Sequence, residues 1–157
     1  MVDIEAKGRM GLAIAQILHK YPLLGGLIAS WTIKEDPLIK TMGVCEADTG
    51  IVLLYAPDFV KRITTEGIIA VLHHEVRHVI YGHIFLNPDD YSDAEALLIA
   101  KEVTVNERLP EKLPMRGILL KDYPQLKPNQ DTMTRYGLLA DSGLKPGTVI
   151  PSKCNEA

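Results

Sequence analysis

The sequence predicts an α+β fold in which a small antiparallel sheet packs on a helical core. Three observations support this. Apolar residues recur at helical spacing near the N-terminus and again from about residue 65. Three β-like runs lie between these two regions. Hydrophobic residues make up 46% of the chain and charged residues 24%, an ordinary globular balance. We expect residues 1–157 to form a single domain with a sheet-containing half at about 21–60, a helical part at about 65–109 and an extension at about 110–157.

The first half divides into one helix and three strands. A helix over about residues 4–20 is predicted to end at Tyr21-Pro22, and Gly25-Gly26 permits a turn. The β-like runs cover about residues 27–35, 41–46 and 51–55, and residues 46–50 indicate a hairpin connection.

The second half is predicted to be mainly helical. Pro57 opens a short helical turn through Val60, and a long helix follows over about residues 65–83. A loop at 86–90 precedes a third long helix that begins near Ser92. Little periodicity follows until a helix at about 130–139.

Composition argues against several classes of function. The net charge is −3 and no run of Lys or Arg exceeds two residues, so no nucleic-acid surface is indicated. The longest nearly apolar stretch, residues 21–31, is far below the roughly 20 residues that a membrane helix needs. The N-terminus lacks the apolar core of a secretion signal. Cys45 and Cys154 lack metal-type spacing, which favours free thiols in a reducing compartment. We therefore expect a cytoplasmic protein that binds neither nucleic acid nor membranes.

The most informative motif is His74-Glu75-Val76-Arg77-His78. On a helix, side chains four residues apart share one face, so His74 and His78 can bind one Zn²⁺ while Glu75 reaches a metal-bound water. The flanking residues support a helix, because apolar residues recur at three- and four-residue steps, Thr64 or Thr65 can cap its start and Gly82 can end it. The alternative, a solvated or core-packed pair of histidines, stays open.

A hydrolytic zinc site usually has a third protein ligand. His83 would lie about 140° around the same helix from His78, so a packing or ligand-orienting role is favoured for it. A longer zinc-site pattern, with Gly and His three and six residues after the second histidine, fails at Tyr81 and Ile84. The downstream acidic candidates are Asp93, Glu95, Glu102 and Glu107.

Glu102 is the best of these candidates. Ser92 and Glu95 have the form of a helix-capping box, and Glu107 is predicted to be solvated. Glu102 instead falls within an apolar stripe, where a carboxylate is costly unless it is paired or binds a metal. Asn106, one turn later, can orient a ligand. The alternative is that Glu102 pairs with a buried arginine. Candidates for that pairing are Arg77 and Arg108.

Much of the chain resembles a family of metallopeptidase domains that often precede a von Willebrand factor A-like domain in bacteria and phages. The resemblance runs in order through Tyr21-Pro-Leu-Leu-Gly25, Thr41-Met-Gly-Val44, Tyr55-Ala-Pro-Asp-Phe59, the HExxH motif with Gly82-His83, Ala100-Lys-Glu102 with Asn106, Gly117-Ile-Leu-Leu120, Tyr123 and Tyr136-Gly-Leu-Leu139.

This resemblance implies a zincin-like fold and zinc-dependent peptidase activity. His74 and His78 match the metal-binding histidines, Glu75 the catalytic acid/base, and Glu102 the downstream acidic position, where Asp is commoner in the family. We expect any A-like partner module to be a separate protein.

The predicted function is hydrolysis of a peptide bond by a gluzincin-like zinc peptidase, with Glu75 as general base toward a zinc-bound water. The substrate is a protein or peptide, which by analogy would pair with an edge strand at about 51–55 or 27–35. Tyr81, His83 and Tyr136 are candidates for stabilising the oxyanion. Two alternatives remain: a catalytically inactive zinc-binding recognition module, and a hydrolase of non-peptide amides.

Overall fold

The computed structural model describes residues 1–142, and Cys154 lies outside them. The arrangement is mixed α+β: two helices precede three consecutive strands, and four helices with three short 3₁₀ turns follow them in the described residues. In chain order the elements are α1 (Ile4–Lys20), α2 (Pro22–Ala29), β1 (Thr32–Glu35), β2 (Met42–Ala47), β3 (Gly50–Tyr55), α3 (Pro57–Arg62), α4 (Thr65–Ile80), α5 (Ala94–Asn106) and α6 (Thr132–Ser142).

The three strands form one sheet in the order β1-β3-β2. β2 and β3 are antiparallel, with Ala47 opposite Gly50, which confirms the predicted hairpin. β1 is parallel to β3, with Thr32 opposite Val52. The sheet is therefore mixed, and the prediction of a purely antiparallel sheet was wrong. The physical reason is the connection after β1: residues 36–41 carry the chain past β3 to the opposite edge of the sheet, where β2 runs back and the hairpin returns β3 in the direction of β1.

The predicted turn at Gly25-Gly26 was wrong, because both glycines belong to α2. The predicted strand at 27–35 was wrong in its first part, since residues 27–29 also belong to α2 and β1 begins only at Thr32. Pro22 at the start of α2 is compatible with helical geometry. Gly25 allows α2 to lie directly against α1, since a Cβ atom there would stand 2.3 Å from the Cα of Leu18. Tertiary packing thus outweighs the low helix propensity of two glycines.

We expect Gly25→Ala to destabilise the protein by about 1–3 kcal/mol or more, because the added methyl group meets backbone rather than a movable side chain. Gly26→Ala is the matched control, since a Cβ at Gly26 has no neighbour within 4 Å. This control should be neutral or stabilising, by up to about 1 kcal/mol. Urea unfolding of both variants measures the difference, and equal midpoints would contradict the close approach of the two helices.

Two groups of buried apolar residues hold the described chain together. The larger joins α1, the sheet, α3 and the first half of α4, with Met10, Ile17, Leu53 and Leu72 among its members. The smaller joins α5 to α6 and the segment before it. No helix within residues 1–142 has the length and apolarity required to cross a bilayer.

The helix that carries the HExxH motif is shorter than predicted. α4 ends at Ile80 and not at His83, because Gly82 adopts a left-handed conformation with φ 71°. Glycine reaches that region without steric cost, which is why it ends helices so often. His83 then begins a separate 3₁₀ turn, so its position relative to His78 is set by this reversal of the chain.

The start of α5 also differs from the prediction. Asp93 is the N-cap, and its carboxylate accepts the backbone N–H of Ala96 at 2.9 Å. The predicted capping box of Ser92 and Glu95 was therefore wrong by one position. Asp and Ser are comparable N-cap residues, so sequence alone did not separate them.

Candidate metal centre

Two histidines of α4 lie side by side because one helical turn separates them. The hydroxyl of Thr64 accepts the N–H of Gly67 and fixes the start of the helix. The apolar residues of α4 then anchor it against α1 and the sheet. The Nε2 atoms of His74 and His78 are 3.0 Å apart, and both side chains are buried. α4 therefore presents two imidazole nitrogens at one point inside the protein.

Glu102 of α5 reaches the same point. Its Oε1 lies 3.2 Å from Nε2 of His78, and its Oε2 lies 3.5 Å from Nε2 of His74. Only 3% of Glu102 is exposed, so the two histidines replace water as the partners of this carboxylate. The alternative of a pairing with Arg77 is not what the structure shows, because Arg77 donates to the hydroxyl of Tyr81 at 3.0 Å.

The spacing of these three groups suits a metal ion. One donor atom from each of His74, His78 and Glu102 lies within 4.8 Å of the other two. Donors at about 2.0–2.2 Å from a tetrahedral ion stand about 3.3–3.6 Å from each other. The separations of 3.0, 3.2 and 3.5 Å are close to that range. Two imidazole lone pairs this near repel each other unless a proton or a cation lies between them.

Hydrogen bonds behind His74 fix the tautomer that a metal needs. The side-chain nitrogen of Asn106 donates to the carbonyl of Ile118 at 2.9 Å, which turns its Oδ1 toward His74. Nδ1 of His74 lies 2.9 Å from that oxygen and must donate to it. In the neutral ring, Nε2 of His74 is then unprotonated and faces the candidate metal position. Partners behind a ligand commonly play this part in metal sites.

A similar chain of bonds lies behind His78. Its Nδ1 is 3.0 Å from Nδ1 of His83, and Nε2 of His83 is 2.8 Å from the hydroxyl oxygen of Thr132. If His78 donates from Nδ1, His83 accepts there and donates from Nε2 to Thr132. Nε2 of His78 is then also free to bind a metal. This ordering requires His83 to stay neutral.

The electrostatics agree with that assignment. Burial and the neighbouring His78 lower the pKa of His83 to about 3, so its ring is neutral at physiological pH. Burial opposes charge on His74, but the carboxylate of Glu102 outweighs it and raises the pKa of His74 to about 9. Burial likewise opposes charge on Glu102, yet its bonds to His74 and His78 hold its pKa well below the usual range. Without a metal, His74 and Glu102 form a buried ion pair.

These pKa values predict that metal binding releases a proton at pH 7. The pKa of His74 is raised, so the stability it adds to the metal-free protein is full below about pH 6.5 and disappears as the pH rises through about 9. A metal takes the place of that proton. Calorimetric titration in buffers of different ionisation enthalpy should show at least one proton released per ion at pH 7. A metal that binds at pH 7 without releasing a proton would contradict this.

A small cleft opens beside His78 and Glu102, two of the three candidate ligands. Glu75 lies in its wall and is 1% exposed. The remaining wall residues come from β2, the 3₁₀ turn and α5, and they include Val44, Ile84, Leu98 and Lys101.

Comparison with known proteins decides the family. A family model described as "Putative metallopeptidase domain" matches residues 5–116. The chain belongs to this family. The matched segment contains the HExxH motif, Glu102 and Asn106, and the resemblance seen in the sequence is confirmed at the level of the family. The buried His-His-Glu cluster, a candidate metal site, thus belongs to a domain of the putative metallopeptidase family.

This metallopeptidase-family chain also resembles an uncharacterized protein of Thermotoga maritima. The two are 30% identical over 61 residues, which is 39% of this chain and 15% of the relative. The chain thus matches only a small part of the length of that protein. No solved structure matches the chain.

The other candidate residues of the metallopeptidase domain lie elsewhere. Asp93 caps α5, and Glu95 is exposed on its first turn. Glu107 was predicted to be solvated, which was wrong, because its Oε2 lies 2.5 Å from the guanidinium of the fully buried Arg135. Tyr136 bonds to Ser92 at 3.2 Å and is not among the residues that line the cleft. Cys45 is a free thiol.

Three residues near the centre were missed by the sequence analysis. Thr132 stands 49 positions from its partner His83, and no periodicity signals such a contact. Glu111 bonds to Nδ1 of His73 at 2.8 Å and ties the chain after α5 to α4. Lys101 did carry a signal, since it interrupts an apolar run immediately before Glu102.

Proposed function

We propose that the domain is a zinc-dependent, gluzincin-like HExxH peptidase, in which His74, His78 and Glu102 hold one zinc ion and Glu75 is the general base. One observation carries the proposal. Two buried imidazoles and a buried carboxylate converge on one point, and hydrogen bonds behind both imidazoles leave their Nε2 atoms free to bind. Three protein ligands with an open fourth position are typical of catalytic zinc rather than structural zinc.

Bound zinc would polarise the carbonyl of the scissile bond and acidify a water molecule. Protein side chains would transfer the proton and orient the ligands. Glu75 would accept a proton from that water and then deliver it to the amide nitrogen of the leaving group. Burial of Glu75 keeps bulk water away from this proton transfer. His83 and Asn106 would keep the histidines oriented throughout.

The substrate would bind along β2. The sequence predicted residues 51–55 or 27–35 as the edge strand. Residues 51–55 form β3, the central strand of the sheet, which excludes them. β1, within residues 27–35, is an edge, but none of its residues lines the cleft. β2 is an edge of the sheet in residues 1–142, it contacts α4 and the 3₁₀ turn, and Val44 lines the cleft. An extended peptide can add to such an edge through main-chain hydrogen bonds. This favours peptides over other amides.

The proposal is tested by metal analysis of the purified protein together with hydrolysis of a fluorescently labelled casein. We expect one zinc per chain, loss of hydrolysis on chelation, and its recovery when zinc is restored. Zinc without hydrolysis of any peptide would favour the inactive recognition module. Hydrolysis of small amides alone would favour the non-peptide alternative, and a folded protein indifferent to zinc would refute the metal centre.

A further inference from the structure

Lys101 is a buried cation in the wall of the cleft. It is 4% exposed and lines the cleft together with Glu75, His78 and Glu102. It belongs to the same turn of α5 as Leu98 and Glu102, so the helix that would supply a metal ligand also brings a lysine to the cleft. Lysine is almost never fully buried unless it is paired, because removing an ammonium group from water is costly.

The charge of Lys101 would add to that of a metal held by His78 and Glu102, because all three residues line the same cleft. With zinc in place, the cleft would hold two positive charges on the metal, one on Lys101 and two negative charges on Glu75 and Glu102. The sum is about +1, which attracts an anion. A lysine is the wrong residue for simply holding zinc, because like charges repel.

We propose that Lys101 is an anion-binding residue of the cleft, where its ammonium group donates to the carbonyl oxygen of the substrate as negative charge develops there. This inference rests on the proposed peptidase function and fills the oxyanion role. Lys101 forms no covalent bond and transfers no proton; it supplies a fixed positive charge in a site of low dielectric, where such a charge is most effective. Of the three oxyanion candidates predicted from the sequence, Tyr81 and Tyr136 do not line the cleft, and Nε2 of His83 bonds to Thr132.

The inference makes a prediction that a purely structural role does not. If Lys101 only held the helices together, its loss would weaken both the fold and zinc binding. If it binds the anion, Lys101→Met removes a charge that repels zinc, so zinc affinity should stay equal or rise. The Met side chain keeps an unbranched apolar stem of similar length.

The experiment compares the parent, Lys101→Met, Lys101→Arg and Lys7→Met, in which an exposed lysine of α1 is the control for the loss of one charge. Zinc affinity is measured by competition with a chelator. Binding of inorganic phosphate to the zinc-loaded proteins is measured by calorimetry, and kcat and KM are measured on labelled casein. We expect Lys101→Met to weaken phosphate binding at least tenfold and to lower kcat by about 10²–10³, with little change in KM. Lys101→Arg should retain much of both, and Lys7→Met should match the parent.

Unchanged phosphate affinity in Lys101→Met, or weakened zinc binding, would overturn the inference. The result also separates this inference from the proposed function. Casein hydrolysis that is insensitive to Lys101→Met would leave the peptidase standing without an anion role for the lysine. Phosphate binding that depends on Lys101, in a protein that hydrolyses no peptide, would leave the anion site standing and refute the peptidase. A parent protein that binds no zinc would refute both.

Discussion

Replacement of Glu75 by Gln should nearly abolish peptide hydrolysis while zinc stays bound at the parent level. Glutamine has the shape of glutamate but cannot accept the proton of the attacking water. Loss of a general base typically costs about 10²–10⁴ in rate. Zinc should remain because Glu75 is outside the cluster of His74, His78 and Glu102. The measurements are kcat on labelled casein and the zinc content of the same sample.

Glu66→Gln is the matched control, since Glu66 lies on the same helix but is exposed in its first turn. We expect it to hydrolyse casein as the parent does. A Glu75→Gln protein that retains parent activity would show that Glu75 is not the base. Loss of zinc from that variant would instead show that Glu75 contributes to metal binding.

Removal of the carboxylate of Glu102 should have the largest effect on metal binding. Glu102→Ala deletes one of three converging donors and leaves two imidazoles in a buried space. Zinc affinity should fall by more than the roughly 10–100-fold that loss of a partner behind a ligand costs. Hydrolysis should disappear at zinc concentrations that saturate the parent. Competition with a chelator measures the affinity directly.

Comparison of three variants shows whether the loss of zinc affinity in Glu102→Ala is that expected for a metal ligand. Asn106→Ala removes the acceptor behind His74 and should fall within the range of about 10–100-fold. Glu95→Ala, an exposed change on α5, should leave zinc binding unaltered. If Glu102→Ala binds zinc no more weakly than Asn106→Ala does, Glu102 is not a ligand.

The helix with the HExxH motif and the choice of Glu102 could be predicted from the sequence, because both depend on local periodicity. Four-residue spacing puts His74 and His78 on one face whatever the rest of the fold does. A carboxylate inside an apolar stripe must find a partner, which singles out Glu102. The structure places Glu102 beside both histidines, and its role as a ligand stays a prediction. Thr132 could not be anticipated, because its contact depends on how α6 packs against α5.

The fold was less predictable where tertiary contacts override local preference. The glycines of α2 suggested a turn, yet Gly25 serves a close helix contact that only the assembled structure reveals. The direction of β1 relative to β3 follows from the connection that carries the chain to the opposite edge of the sheet, and no strand pattern records it. Glu107 was predicted to be solvated because its partner, Arg135, comes from a helix distant in sequence, and no local pattern indicates that contact.

The hydrogen bond between His83 and Thr132 has a consequence for how the protein folds during its synthesis on the ribosome. The family match ends at residue 116, but the support behind His78 is complete only when Thr132 arrives. A nascent chain that has exposed the HExxH helix and α5 therefore holds all three donor atoms but not their full orientation. We expect a metal ion to bind tightly at this centre only after α6 has docked.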